Sequence, residues 1–478
     1  MEFVNKSGPE KIEQSQMPET SLEALRHAVT GLKLCDDPDT LRSYGRDRTR
    51  ISEPNACAIA FPENVEQVRE IVRFAKNNAL ALVPSGGRTG LSGGALAHQR
   101  QLVVSLDAMR RMLEFDPIDQ TVTVEAGMVT QTLQEFAQEK GFFFPLDFAS
   151  SGSSQIGGNI ATNAGGIKVL RYGLMRDWVA GLKVVTGNGE LLELNQGLVK
   201  NATGFDLRHL FVGSEGTLGI IVEATLKLAA RPAPQQVMLL AVPLVEDLIR
   251  IMTAMRSRLT LSAFEFFSEL ALGKVLESGN LRRPFDHEAP FYALVEYDCR
   301  DEADEAGALA AFEHCAEAGW VLDGIISQSD SQARELWRLR EDISESLAHQ
   351  TPYKNDISVR LSRVPQFLKR LDGIVTTQYP GFEVVWFGHI GDGNLHLNIL
   401  RPESLSQTEF SSACEQVNSL VFELVREFEG SISAEHGVGL LKTPYLGFTR
   451  SAAEIDYMQK IRALFDPNQI MNPGKLTP

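Results

Sequence analysis

The chain has 478 residues, of which 43% are hydrophobic and 23% charged, and its formal net charge is −16. At about 100–200 residues per domain this is a globular chain of several domains, and it is too apolar to be intrinsically disordered. A surface this acidic repels a phosphate backbone, which argues against nucleic-acid binding.

Residues 1–20 are polar and are predicted to be poorly ordered. They carry neither a basic and apolar secretory signal nor an arginine-rich transit pattern. A helix is expected over Ser21–Leu32. From Pro54 the pattern becomes α/β. A helix is predicted over Val65–Asn77 and a short strand, Ala81–Val83, enters a glycine-rich loop. Strands follow at Leu102–Ser105 and Thr121–Glu125, then a helix over Val129–Lys140 that Gly141 ends. Glycine is dense from Gly152 to Gly219, with strands at Gly181–Thr186 and Ile220–Lys227. The RPAP run at 231–234 reads as a linker. Beyond it, strands at Val237–Val242, Ala263–Phe267 and Tyr292–Tyr297 alternate with helices at Val245–Arg258 and Asp301–Ala318, the pattern of a second α+β domain. One long helix is predicted from Ser331 to His349. Two strands around a Gly-Asp-Gly-Asn turn are predicted within Phe382–Leu400, followed by helices at Gln407–Glu429 and Ala452–Phe465. Nowhere does an apolar run reach the roughly 18 residues of a spanning helix. The five cysteines (35, 57, 299, 315 and 414) are scattered with no C-x-x-C, so a disulfide framework or cysteine zinc site is not expected and a cytoplasmic location is.

Three segments carry the glycines: PSGGRTGLSGGA (84–95), PLDFASSGSSQIGGNIATNAGG (145–166) and KNATGFDLRHLFVGSEGTLG (200–219). Glycine admits close approach of backbone to a ligand, and successive N–H groups in such turns form concave anion sites suited to a pyrophosphate. Neither a Rossmann G-x-G-x-x-G nor a P-loop is present. One such loop is most simply a turn of an α/β domain. Three, with interleaved Ser, Thr and Asn, point to a nucleotide.

In the second half, His389 precedes and His396 follows the GDGN turn, so a hairpin would set them opposite each other, within reach of one ion. Asn398 lies two residues beyond His396 and faces the same side. Glu435 and His436 adjoin in SAEHGVG. Two His and one Glu give a three-ligand site with an open position, the pattern of a catalytic zinc. On these residues alone, ordinary core or surface histidines are an equal reading. Arg340 and Ser344 are four apart in a predicted helix, and Lys354 follows it. Together they could hold a carboxylate, although an exposed charged helix is the simpler reading of that spacing.

PSGGRTGLSGG, IGGNIATNAGG and GSEGTLGII closely resemble the FAD-binding domain of the vanillyl-alcohol-oxidase type, also called PCMH-type. GHIGDGNLH and AEHGVG resemble the C-terminal half of the FAD-linked D-2-hydroxyacid dehydrogenases. The resemblance covers about residues 40–475. It is strongest with the bacterial D-2-hydroxyglutarate dehydrogenases, through NATGFDLRHLF, AFEFFS, HCAEAGWVLDG, PYKNDIS, VVWFGHIGDGNLHLNIL and SISAEHGVG.

That resemblance implies an α+β protein. A partly helical N-terminal segment (1–50) precedes a two-subdomain PCMH-type FAD domain (51–230). A substrate or cap domain with a central antiparallel sheet follows (231–450), and then a C-terminal segment that returns to the flavin (451–478). Ser85, Gly86, Gly87, Arg88, Thr89 and Gly90 would bind the FAD phosphates, largely through backbone N–H groups. Pro145, Ser150, Ser153, Gly157, Asn159, Thr162 and Gly165 would lie near pyrophosphate and isoalloxazine, Ile221 near the adenine, and Asn472 in MNPGK against the flavin. The flavin is expected to be non-covalent, because the one nearby histidine, His98, lies outside the motif. His389, His396 and Glu435 would hold Zn²⁺, or Co²⁺ or Mn²⁺, and His436 would be the catalytic base. Arg340, Ser344 and Lys354 would bind a distal carboxylate, with Asn398 and His436 completing the substrate site; Ser344 stands where relatives carry Thr. The implied reaction is oxidation of D-2-hydroxyglutarate to 2-oxoglutarate by hydride transfer from C2 to flavin N5, with D-malate a weaker substrate. Electron-transfer flavoprotein or a quinone would be the acceptor, and a homodimer the assembly. The alternatives are a D-lactate or glycolate dehydrogenase of the same family, or a non-catalytic flavoprotein subunit.

Overall fold

The computed structural model describes residues 19–49, 51–277 and 279–478. The expectation for the polar N-terminus lies outside the described residues as far as residue 18.

Two sheets build the first half. In the four-stranded sheet, Ala56–Phe61, Gln101–Ser105 and Leu82–Ser85 run parallel, and Lys33–Cys35 pairs antiparallel at one edge. ACAIAF and QLVVS are almost wholly buried, as parallel strands covered on both faces require. The helix Val65–Asn77 links two of these strands. It starts at Asn64, whose side chain accepts the Gln67 N–H at 3.0 Å. The five-stranded sheet is antiparallel, in the order Met112–Asp116, Thr121–Glu125, Gly219–Lys227, Val179–Thr186, Leu191–Leu194. One core joins both sheets through Val68, Ile71, Leu82, Val124, Val184 and Ile220.

The second half is a seven-stranded antiparallel sheet. Its order is Asp323–Ile326, Gln235–Val242, Phe291–Asp298, Leu261–Ser268, Val384–Gly388, Asn394–Ile399, Tyr353–Ser358. Successive strand residues face opposite sides. Met238, Leu240, Phe264, Phe266, Leu395 and Leu397 therefore pack one face against the helices Val245–Arg256, Val364–Gln378 and Gln407–Glu427. Val237, Leu239, Phe267, Tyr292, Val385 and Phe387 pack the other against Glu269–Leu276 and Asp330–Glu341. Helices Gln407–Glu427 and Ala452–Phe465 each open with a Ser-x-x-Glu capping box, Ser406/Glu409 and Ser451/Glu454. The chain then returns to the first half. Leu82 donates its N–H to Ile470 O at 2.7 Å and accepts the Asn472 N–H at 2.8 Å. Among the described residues no helix is long and apolar enough to cross a membrane.

Helices Glu269–Leu276 and Val364–Gln378 and strands Met112–Asp116 and Asp323–Ile326 were not expected, and two further elements near the site differ. The long helix divides into Asp330–Glu341, Ile343–Ser346 and a 3-10 turn at Ala348–Gln350, with the first break at Asp342, whose ψ of −6° departs from the α-helical value. Tyr353–Ser358 is a strand that no alternation announces, since its buried positions include Asn355 and Asp356.

Candidate active site

His389 and His396 do come together, though not as a cross-strand pair. The hairpin register sets His396 opposite Phe387. His389 stands beyond the strand, at the start of a 3-10 turn over Ile390–Asp392. Gly393 ends that turn at φ +85°, where a Cβ would lie 2.2 Å from Val359 O. The turn brings the His389 and His396 rings to 5.3 Å between centroids.

The neighbouring edge strand adds the next layer. Lys354 lies opposite Asn398 and Asp356 opposite His396, so these four share one face. On the free edge, Ser358 and Ser431 exchange two backbone hydrogen bonds, 3.0 and 2.8 Å long, which bring in the SAEHGVG loop. Asp356, with 0% exposure, holds that loop. Its Oδ2 accepts the N–H groups of Glu435 (3.0 Å) and His436 (2.9 Å), and its Oδ1 accepts Asn394 Nδ2 at 2.8 Å.

Three donor atoms converge. Nε2 of His396 lies 3.5 Å and Nε2 of His389 lies 3.7 Å from Oε1 of Glu435. Ligands about 2.0–2.1 Å from a tetrahedral ion stand roughly 3.3–3.4 Å apart, so this set fits a divalent first-row ion with small adjustment. Nε2 of His436 lies 3.8 Å from the same oxygen. Asp356, His396, Glu435 and His436 also form a four-donor group within 4.8 Å. The Asp356 oxygens already accept three hydrogen bonds, however, so it suits an orienting carboxylate better than a ligand.

The electrostatics favour an anionic Glu435 and an uncharged His396 and His436, and they oppose only at His389, whose Nε2 proton an arriving ion would have to displace. Burial works against an anionic Glu435, but His389 and His396 outweigh it and bring its pKa to about 2. Burial also raises Asp356, yet His436, Lys442 and His396 together hold it well below the carboxylate range. Burial drives His396 down to about 3 and lowers His436, with Asp356 opposing the shift at His436. His436 is therefore neutral and able to accept a proton. At His389 burial is overcome by Glu265 and Glu435, which push it up to about 10.

Arg340 reaches this cluster. It is 5% exposed, and its Nη2 lies 2.8 Å from Glu265, whose carboxylate also meets Nδ1 of His389 at 2.9 Å. Nε and Nη2 of Arg340 have no hydrogen-bond partner among the described residues. Asn398 is buried beside His396. Lys354 keeps contact with solvent, but protein crowds its ammonium; that desolvation, and Arg48 after it, lower its pKa. Ser344 is exposed, one helical piece beyond the buried Arg340.

All three glycine-rich loops meet the Glu435–Leu441 segment. In the first loop, Ser92 O accepts the N–H groups of Leu440 (2.9 Å) and Leu441 (3.1 Å). In the second, a Cβ at Gly165 would lie 3.7 Å from Glu435 Oε2. In the third, the Glu215 carboxylate accepts the N–H groups of Val438 and Gly439, both at 2.7 Å. The first two loops also touch each other at Gly87, where a Cβ would lie 2.1 Å from Ser153 O.

Ser85 Oγ is buried with no partner among the described residues, an unsatisfied hydroxyl at the head of a loop that leaves its backbone bare, which fits an anionic nucleotide. Gly86, Gly87, Arg88 and Thr89 are half-buried and Gly90 is exposed. Arg88 turns its guanidinium over the Tyr44 ring, 4.1 Å from the centroid, and toward Asp107. Pro145, Gly157, Asn159, Gly165 and Ile221 are buried, Ser150 and Thr162 half-buried, and Ser153 exposed. Asn159 donates to Thr130 Oγ1 at 2.7 Å and Thr162 to Gly158 O at 3.0 Å. Asn472 uses its side chain on protein. It donates to Gly94 O (3.0 Å) and Glu215 O (2.7 Å) and accepts from Lys475 Nζ (2.6 Å), so it straps the first and third loops together.

Asp356, Glu265 and Glu215 escaped the sequence reading. All three lie inside motifs of the resemblance, PYKNDIS, AFEFFS and GSEGTLGII, and Glu265 further stands out as a single acid inside the apolar run AFEFF.

Residues 56–195 match the family of FAD binding domains, and residues 231–476 match the C-terminal domains of FAD linked oxidases. The chain is 55% identical over 455 residues to a D-2-hydroxyglutarate dehydrogenase of Stutzerimonas stutzeri, covering 95% of this chain and 98% of that one. It is 55% identical over 460 residues to a D-2-hydroxyglutarate dehydrogenase of Xanthomonas citri pv. viticola, covering 96% and 97%. Among solved structures it superposes on p-cresol methylhydroxylase with a TM-score of 0.77 at 14% identity, covering 96% of this chain and 97% of that one. Alkyldihydroxyacetonephosphate synthase gives 0.72 at 18% identity, covering 96% and 86%. These structural likenesses bear out the α+β, PCMH-type fold.

Proposed function

The chain belongs to the FAD-linked oxidases and, within them, to the D-2-hydroxyglutarate dehydrogenases, and from that membership we propose that it oxidises D-2-hydroxyglutarate to 2-oxoglutarate. The observation that carries the chemistry is the position of one segment: Glu435–Leu441 lies against all three flavin-type loops while setting Glu435 and His436 beside His389 and His396.

Bound FAD supplies the two-electron acceptor for the C2 hydride, and a bound Zn²⁺, Co²⁺ or Mn²⁺ supplies a Lewis acid for the C2 hydroxyl. His389, His396 and Glu435 hold the ion. Nε2 of the neutral His436 accepts the hydroxyl proton, a role worth about 10²–10⁴-fold. Asp356 behind it steadies the imidazolium that results. Arg340 offers guanidinium N–H groups that make no hydrogen bond within the described residues, and Lys354 its ammonium, to the distal carboxylate. D-malate, one methylene shorter, spans that distance less well. Electron-transfer flavoprotein or a quinone is the acceptor we favour for the reduced enzyme.

The test is the visible spectrum of the anaerobic protein before and after adding D-2-hydroxyglutarate. Loss of the flavin band near about 450 nm is expected. A band that persists in metal-loaded protein rejects this substrate.

A further inference from the structure

We propose that Glu265 is a positioning residue that couples metal affinity to recognition of the substrate's second carboxylate, an inference that rests on the function proposed above. Glu265 is 1% exposed, in the middle of the Leu261–Ser268 strand. Its two oxygens lie 2.9 and 2.8 Å from Nδ1 of His389, and one of them also lies 2.8 Å from Nη2 of Arg340. One carboxylate thus touches both a candidate metal ligand and the candidate carboxylate binder.

The two contacts do different things. A carboxylate on Nδ1 keeps the ring proton there, and so directs the Nε2 lone pair of His389 toward Glu435 and the ion. The Arg340 contact is one of charge without hydrogen-bond alignment. Glu265 therefore neutralises a buried guanidinium, which would be costly alone, through Nη2 only, while Nε is left with no partner among the described residues. The Phe387 ring, 4.9 Å from Cζ, supports the guanidinium from another side. His389, His396 and Glu435 would hold an ion at the 2-hydroxyacid end of the substrate, and Arg340 would meet the far end. Glu265 holds the residues at both ends and so sets the span between them, which makes it a determinant of diacid preference.

The test uses Glu265→Gln in the full-length holoenzyme. Zn²⁺ affinity is read by competition with a chromogenic chelator. The kcat/KM ratio of D-2-hydroxyglutarate to D-lactate is read at saturating Zn²⁺. Affinity should fall about 10–100-fold, and the ratio should fall about tenfold or more, because an Arg340 no longer held in place loses its charge-assisted hydrogen bond to the distal carboxylate. A fall in metal affinity with an unchanged ratio overturns the coupling, as does no change in either. Should the Gln variant not fold, Glu265→Asp keeps the charge and withdraws the oxygens by about 1.5 Å; both readouts must again fall, and unchanged values overturn the proposal. Wild-type protein that binds no metal or leaves D-2-hydroxyglutarate unoxidised defeats the underlying functional reading. A working wild type with unaltered variants defeats this inference alone.

Discussion

Asp356 sits behind His436: its Oδ2 accepts the His436 backbone N–H at 2.9 Å and lies 3.7 Å from the ring Nδ1. One buried carboxylate thus fixes the loop that carries the proposed base and faces the nitrogen on the far side of the ring from Glu435. Asp356→Asn keeps the shape and removes the charge that stabilises a protonated His436. We expect kcat to fall about 10²–10⁴-fold, with the flavin content unchanged, measured by steady-state kinetics and absorbance on the same preparation. A fall below tenfold would leave Asp356 a purely structural role.

The proposed role of Arg340 at the distal carboxylate separates diacid from monoacid chemistry. Arg340→Ala should weaken D-2-hydroxyglutarate use by about 1.5–3 kcal/mol, the worth of hydrogen bonds to a charged group. The kcat/KM for D-lactate should change far less. Equal losses on both substrates would remove Arg340 from the distal site.

Dialysis against a strong chelator should abolish D-2-hydroxyglutarate oxidation and leave the flavin spectrum in place, because the His389, His396 and Glu435 donors lie outside the three glycine-rich loops. Adding back Zn²⁺, Co²⁺ or Mn²⁺ should restore turnover, and the most effective ion identifies the one the site prefers. Full activity of metal-free protein would exclude the Lewis-acid role.

Lys475 gives a pH signature. Its amine is fully buried and donates to Leu96 O and Asn472 Oδ1, two acceptors for two hydrogens of a neutral amine. Burial lowers its pKa from 10.5 to about 7, with Asp47 and Glu215 partly opposing. From about pH 7 to 10.5 the unfolded chain therefore binds a proton that the folded chain does not. This residue's contribution to stability rises with pH across that window and is lost as pH falls to about 7. The Tm difference between wild type and Lys475→Met should accordingly vary between about pH 7 and pH 10. A constant difference would show that Lys475 does not titrate there.

Sequence pattern located many of the longer elements, because the helix Val65–Asn77 buries apolar residues at a helical repeat and the strand Gln235–Val242 carries a continuous apolar run buried on both faces. The edge strand Tyr353–Ser358 was illegible because polar Asn355 and Asp356 are both buried in it, and of the two Asp356 faces the site opposite His396. The same limit applies within the site. Motifs pointed to His389, His396, Glu435 and His436. Glu265, however, meets His389 and Arg340 only after three distant segments converge, and no local pattern encodes that meeting. The cross-strand argument placed the two histidines together through the wrong pairing, since Phe387 holds the position opposite His396.

The strap of Asn472 and Lys475 across the first and third loops bears on biosynthesis. Residues 84–95 leave the ribosome hundreds of residues before Asn472 exists, so the nascent first half presents an open cradle in which Leu82 has its backbone groups exposed until residues 470–472 arrive. Cofactor retention should therefore begin late. Chains halted before residue 470 would hold flavin loosely or not at all, even with every glycine-rich loop already made.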